Sequence, residues 1–167
     1  PDSDFETGKS LFQLGKYTAS YRSFEKYLQV AELTNQSQQQ EAEFYMVSCL
    51  YELRKKEAGQ ALVHYKKKYP GTLFQDKLNY MQGMLLFENK DYAGALDYFN
   101  RIREKRFNRT DKLQFLFNKA YALLQTNKTK EASEIFQQIS LSEGELKTPA
   151  TYYYAYSAYK LQRFDEA

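Results

Sequence analysis

The chain has 167 residues, 43% of them hydrophobic, with only 7 Gly and 3 Pro; this suits one helical domain rather than a disordered chain. A formal net charge of +3 is too small to imply a polyanionic partner, and the single Cys49 excludes an internal disulfide while leaving the redox compartment open. The 16 Tyr and 12 Phe, with no Trp, are unusual, and because a Tyr hydroxyl prefers water or a partner, many of these rings are expected at half-exposed positions.

In chain order, Ser3-Asp-Phe-Glu6 reads as a capping box, Gly15 as the end of a first helix, and Tyr17 to about Leu33 as a second helix. The polar run Asn35–Gln40 is a loop whose Ser37-x-x-Gln40 caps a helix running through Leu53. Pro70-Gly71 breaks the helix before it, and Thr72 with Gln75 marks the next start. From there Tyr80, Met81, Met84, Leu85 and Phe87 recur at helical spacing, Asn89-Lys90-Asp91 interrupts, and Tyr92, Ala95, Leu96, Phe99 and Ile102 resume it. Ser142–Glu145 is a further loop, and Thr148-Pro149 supplies a cap and a first-turn proline for the last long helix.

The unit around residues 73–103 recurs. Gly83, Ala95 and Phe99, 12 and 4 residues apart, have counterparts at Gly8/Ser20/Phe24, Cys49/Ala61/Tyr65 and Ala120/Ala132/Phe136, and a fifth copy opens at Ala155. The small-residue column Gly8, Cys49, Gly83, Ala120, Ala155 has offsets of 41, 34, 37 and 35 residues, the signature of a stacked repeat array. One domain over 1–167 is expected, with repeats at about 1–41, 42–75, 76–112, 113–147 and a truncated fifth over 148–167. Helix B of that fifth repeat is expected to begin at Phe164, as part of a longer solenoid.

A small residue in helix A, a Gly/Asp/Lys turn with an aromatic (Gly15-Lys16-Tyr17, Lys90-Asp91-Tyr92, Arg163-Phe164), and Ala-x-x-x-Phe in helix B resemble the tetratricopeptide repeat family. The resemblance implies an all-α, right-handed superhelical solenoid of helix-turn-helix repeats. It departs from the family pattern in lacking a helix-A Trp, in Ala58 and Thr129 at the turn-aromatic position, and in Lys68 where an apolar residue is usual. Tyr65-Lys-Lys-Lys-Tyr69-Pro70-Gly71-Thr72, followed by Tyr80-x-x-Gly83 and Ala95-x-x-x-Phe99, is similar to the bacterial envelope repeat proteins related to the BamD lipoprotein and the YbgF/CpoB proteins. That similarity implies a periplasmic or outer-membrane-associated location, with the cytoplasm as the other compartment.

Catalytic and cofactor readings find little support. Gly8-Lys9-Ser10 lacks the earlier Gly of a phosphate loop, since Ser3 stands there, and it falls inside a helix whose amides are already used. Cys49 sits in the small column and is expected to pack; His64, the one histidine, is expected on the outer face of its helix with no accompanying metal donors. The Asn-x-Ser/Thr triplets at Asn35, Asn108 and Asn127 are assigned no role. No cofactor, no metal and no catalytic group is expected. Arg101, Arg103, Lys105, Arg106 and Arg109 form a basic cluster better explained as a solvated helix end than as a nucleic-acid site.

The informative columns flank the small one. Phe5, Met46, Tyr80, Phe117 and Tyr152 lie three residues before it; Lys9, Leu50, Met84, Tyr121 and Tyr156 lie one after. In a tetratricopeptide solenoid the A helices line the concave surface, so the resemblance makes these apolar and aromatic positions a groove for a protein or peptide segment, read through side-chain pockets. A carboxylate-gripping Lys/Asn set is missing from them, apart from Lys9 and Asn118. The expected function is a non-catalytic interaction scaffold, and the alternative is a structural spacer or a self-associating module. Membrane association would come only through an anchor outside this sequence.

Overall fold

The computed structural model describes residues 2–30 and 35–165, with side chains over 3–30 and 35–162. Among the described residues every long element is an α-helix: α1 Asp2–Gln13, α2 Tyr17–Val30, α3 Gln36–Glu52, α4 Ala58–Lys68, α5 Gln75–Glu88, α6 Tyr92–Phe99, α7 Arg109–Gln125, α8 Thr129–Ser140 and α9 Lys147–Asp165. A 3-10 turn, Glu104–Arg106, lies between α6 and α7. The chain is thus an all-helical repeat of helix-turn-helix pairs, divided into two compact units over 1–78 and 79–167, with the boundary inside α5.

Four A-to-B turns share one mechanism. Gly15, Arg54, Lys90 and Asn127 have φ of 70°, 56°, 62° and 61°, and each turn is closed by two backbone bonds. At the first, the Gly15 amide donates to the Phe12 carbonyl at 3.0 Å and the Lys16 amide to the Leu11 carbonyl at 2.9 Å, the Schellman arrangement that satisfies the last free carbonyls of a helix. Glycine adopts this left-handed conformation freely, whereas Arg54 and Lys90 adopt it against their side-chain preference.

In the first unit, α2 lies directly on α1 because Gly8 has no side chain. A Cβ there would come within 2.8 Å of the Phe24 ring, and Ser20 Oγ donates to the Gly8 carbonyl at 2.8 Å. Phe24 also stacks on Tyr45 of α3, with centroids 5.2 Å apart and planes 3° from parallel. Cys49 is wholly buried and burial pushes its thiol up, consistent with packing rather than reactivity. His64 is exposed on α4. Lys68, at a position where the repeat pattern favours an apolar residue, pairs with Glu43 at 2.7 Å instead. At the end of α4 the Tyr65 hydroxyl donates to the Gln40 carbonyl at 3.0 Å, Gln40 Nε2 donates to Thr72 Oγ1 at 2.8 Å, and Phe74 stacks on Phe44 at 4.0 Å.

In the second unit the same small-against-large contact recurs at Gly83, where a Cβ would collide with the Phe99 ring and lie 3.3 Å from the Ala95 carbonyl oxygen. The core continues through Phe115, Leu123, Phe136 and Ile139, which seal α6, α7 and α8 together. Asp91 caps α6, its Oδ1 accepting from the Gly94 amide at 2.9 Å, and Asn108 caps α7, accepting from the Asp111 amide at 2.9 Å. Asp91→Ala is expected to lower the unfolding free energy by about 1 kcal/mol, measured as a shift of the urea midpoint at constant slope.

Several boundaries differ from the sequence expectations. Ser3 is already inside α1 and does not cap it. Asn35, not Ser37, caps α3, its Oδ1 accepting from the Gln38 amide at 3.2 Å, because Asn reaches an amide three residues on as well as Ser does. Thr72 bonds the Phe74 amide at 3.3 Å ahead of α5. No turn forms at Arg163-Phe164: α9 runs on through Asp165, since Leu161-Gln162-Arg163 are good helix formers with no Gly or Asn to reverse the chain. Leu33, Ala167 and the side chain of Phe164 lie outside the described residues.

Candidate protein-binding pocket

The positions expected to line a groove separate by environment. In the first unit Phe5 is only 2% exposed, its ring 5.8 Å from Phe24 and 5.2 Å from Tyr27, so it belongs to the core and offers nothing to a partner. Its sequence column marks which way it points from α1, but α2 covers that side. Met46, which packs on the same cluster, and Leu50 are half-buried.

In the second unit Tyr80 is half-buried among Phe99, Phe107 and Phe115, with ring centroids 6.0 to 6.1 Å away. Met84, Phe117 and Tyr121 come together at an open cavity of about 510 Å³. Tyr152 and Tyr156 lie outside it, exposed on α9.

The cavity is built by three A helices, one turn and the start of a B helix. α5 contributes Met84, Phe87 and Glu88, the following turn Lys90, α6 its first residue Tyr92, α7 Phe117, Asn118 and Tyr121, and α9 Tyr153. Its rings are set edge to face: Phe87 to Tyr92 at 5.3 Å and 83°, Tyr92 to Tyr121 at 5.8 Å and 64°, Tyr121 to Tyr153 at 5.5 Å and 88°. Such geometry directs ring edges at ring faces, which fixes the wall without filling the space before it. On the floor, Asn118 is 8% exposed; its Nδ2 donates to Tyr80 Oη at 3.0 Å and approaches Met84 Sδ at 3.3 Å, tying α7 to α5. At the rim, Glu88 and Lys90 are exposed. The result is an apolar, aromatic recess with a polar edge, suited to receiving a side chain or short segment of another molecule.

Phe87, Tyr92 and Tyr153 are not among the groove residues that the sequence points to, and Asn118 stands out there only as a polar exception. A signal existed for Tyr92 as the aromatic of its turn, and for Phe87 one helical turn beyond Met84. Nothing in the sequence aimed Tyr153 rather than Tyr152 at the cavity, because the two are adjacent and chemically alike.

Burial, followed by the neighbouring Tyr92, raises the Tyr121 hydroxyl above its ordinary value of 10.0, and burial with Tyr121 raises Tyr153. Burial likewise raises Tyr45 and Tyr65 in the first unit. A raised phenol contributes stability that is fully present below the unfolded-state pKa and is lost as pH rises through the folded value. Thermal melts are therefore expected to be level from neutral pH to about 9 and to fall steeply above about 10, with part of the phenolate absorbance appearing only as the helical signal is lost.

Among the described residues no three His, Cys, Asp or Glu side chains are placed to hold a metal ion, and no helix is long and apolar enough to cross a membrane. Helix pairs joined by left-handed turns, with a small residue of one helix under an aromatic of the next, define a helical repeat protein. Residues 80–145 match the model of the tetratricopeptide repeat. All of the cavity wall except Tyr153 lies within that stretch. No curated protein matches the sequence. Tetratricopeptide repeats generally mediate protein–protein interaction, which is the class of function the fold carries.

Proposed function

We propose that the chain is a non-catalytic scaffold that binds a segment of another protein in the recess between Met84, Phe117, Tyr121 and Tyr153. The observation carrying this reading is the recess itself, an open space of about 510 Å³ walled by rings and Met84 on a surface where core packing would otherwise have closed it. Met and Tyr adapt to varied partner side chains, and the polar rim supplies hydrogen bonds at the edge of the contact.

The test is peptide display against the immobilised full chain, with binding of the selected peptides measured by calorimetry. Peptides with apolar or aromatic anchors are expected, and Met84→Glu, which places a charge at the recess, is expected to weaken them at least about tenfold while circular dichroism stays unchanged. Selected peptides indifferent to Met84→Glu, or no selection at all, would overturn the assignment. A role in bacterial envelope assembly belongs to the same proposal; the Tyr65–Thr72 join supports it, and fractionation of cells producing the protein tests it.

A further inference from the structure

Residues 101–109 hold five cations, Arg101, Arg103, Lys105, Arg106 and Arg109, against one carboxylate, Glu104, a net +4; the whole chain is at +3, so the rest of it is at −1. All five cations are exposed, and Glu104 lies 3.4 Å from Lys112 of α7. A helix end whose carbonyls attract cations is the ordinary cause of such a run, and the structure confines that cause to Arg101. α6 ends at Phe99, and Arg101 lies over the Tyr98 ring at 5.1 Å. A helix dipole acts only within its last turn, so Arg103, Lys105 and Arg106, in and before the 3-10 turn, are beyond its reach. Arg109 is the first residue of α7, the end at which the dipole favours an acid and disfavours a cation.

The cations are held in place. Ile102 is buried and Phe107 packs on the core, one on each side of the 3-10 turn, and the Arg106 and Phe107 amides donate to the Arg103 and Glu104 carbonyls at 3.1 Å each. A charged surface fixed in advance loses little freedom when a partner arrives. Beside Arg109, an open cavity of about 490 Å³ lies between α7 and the segment leading into α9. Leu113 and Leu146, both half-buried against the core, give it an apolar lining. α7 brings Arg109 to it, and the segment before α9 brings Glu143 and Glu145, both exposed.

We propose that this surface docks a segment of another protein in which acidic residues, an apolar residue and a basic residue follow one another. The acidic run lies on the cations from Arg103 to Arg109, the apolar side chain enters the cavity against Leu113 and Leu146, and the basic residue meets Glu143 and Glu145. Complementary charge of both signs attracts the segment and fixes its direction. A nucleic acid is the poorer occupant. Its phosphates are negative throughout and meet Glu143 and Glu145 at like charge, and the rings beside the cations are already engaged: Phe107 against Tyr80 and Phe115, and Tyr98 under Arg101. The surface shares no lining residue with the recess of the preceding section, and the proposal stands whether or not that recess binds.

The experiment titrates the full chain with a panel of labelled synthetic peptides, each a run of Glu, then Leu, then Lys, in that order and reversed, with Ser spacers of varied length, and reads fluorescence anisotropy at low and high salt. Peptides of one direction are expected to bind, more weakly as salt rises. Arg109→Glu and Glu145→Lys are each expected to weaken them at least about tenfold, and Met84→Glu to leave them unchanged. Arg109→Glu is also its own folding control, since an acid at the first position of α7 is expected to hold or raise the melting temperature. A lowered melting temperature in that variant gives Arg109 a structural role and overturns the proposal. So does binding by no member of the panel, binding indifferent to both charge reversals, or equal binding of a peptide of Glu alone. Binding lost in Met84→Glu places the peptides in the recess, and a single-stranded oligonucleotide that binds more tightly than any peptide assigns the cations to nucleic acid; either result overturns it as well.

Discussion

Replacing Gly83 with Leu is expected to lower the unfolding free energy by about 3 kcal/mol or more, whereas His64→Ala stays within about 0.5 kcal/mol. At Gly83 even a methyl group collides with the Phe99 ring, and the Ala95 carbonyl oxygen is 3.3 Å from the same point. Phe99 is fully buried and cannot swing aside without displacing Phe115, whose ring centroid is 5.6 Å away. Relief therefore requires α5 and α6 to separate, which opens the core of the second unit. His64 is exposed on α4, and its removal uncovers nothing. Urea midpoints of the two variants decide the matter: equal midpoints would mean that the small-residue column does not mark the closest approach of the paired helices.

Phe115→Ala is expected to cost about 3–5 kcal/mol, and Tyr152→Ala less than about 0.5 kcal/mol, although both positions belong to aromatic-rich A helices. Phe115 is 0% exposed and meets Tyr80, Phe99 and Phe107 with centroids 5.6 to 6.0 Å apart, so truncation leaves a cavity walled by rings that are themselves fixed. Tyr152 is 65% exposed and returns most of its surface to water in either state. Thermal melts monitored by circular dichroism measure both. A large loss at Tyr152 would show that this ring is already covered in solution.

Much of the architecture was legible because it follows from local sterics. A residue without a side chain at Gly8 or Gly83, a ring sixteen residues later and a turn between them can be satisfied by little except two helices in close contact, so the repeat emerges from the spacing alone. The turns were legible in part. Gly15 announces a left-handed residue, but Arg54 and Lys90 do not, and they adopt it because the helices on either side leave the chain no other path. The cap of α3 was misplaced by two residues because Asn35 and Ser37 are equally able acceptors, and local chemistry cannot choose between them. The end of α9 was misplaced because spacing marks where a turn belongs in the repeat, whereas the residues at 161–163 favour continuing the helix.

The candidate site depended far more on tertiary structure. Phe5, Phe117 and Tyr152 occupy one column of the repeat, yet the first is 2% exposed in a core, the second lines the recess, and the third is 65% exposed. A column specifies only the direction in which a side chain leaves its helix; what waits there is supplied by residues far away in the chain. For Phe5 it is Phe24 and Tyr27, for Phe117 it is Phe136 and Tyr153, and for Tyr152, among the described residues, it is its neighbour Tyr153. The sequence by itself therefore determined the helices, their pairing and the small-against-large contacts, all set by neighbours within one repeat. Which aromatic residues form a recess, which fill the core and which remain in water was decided only by the packing of one repeat on the next, because exposure belongs to the assembled surface rather than to a residue and its near neighbours.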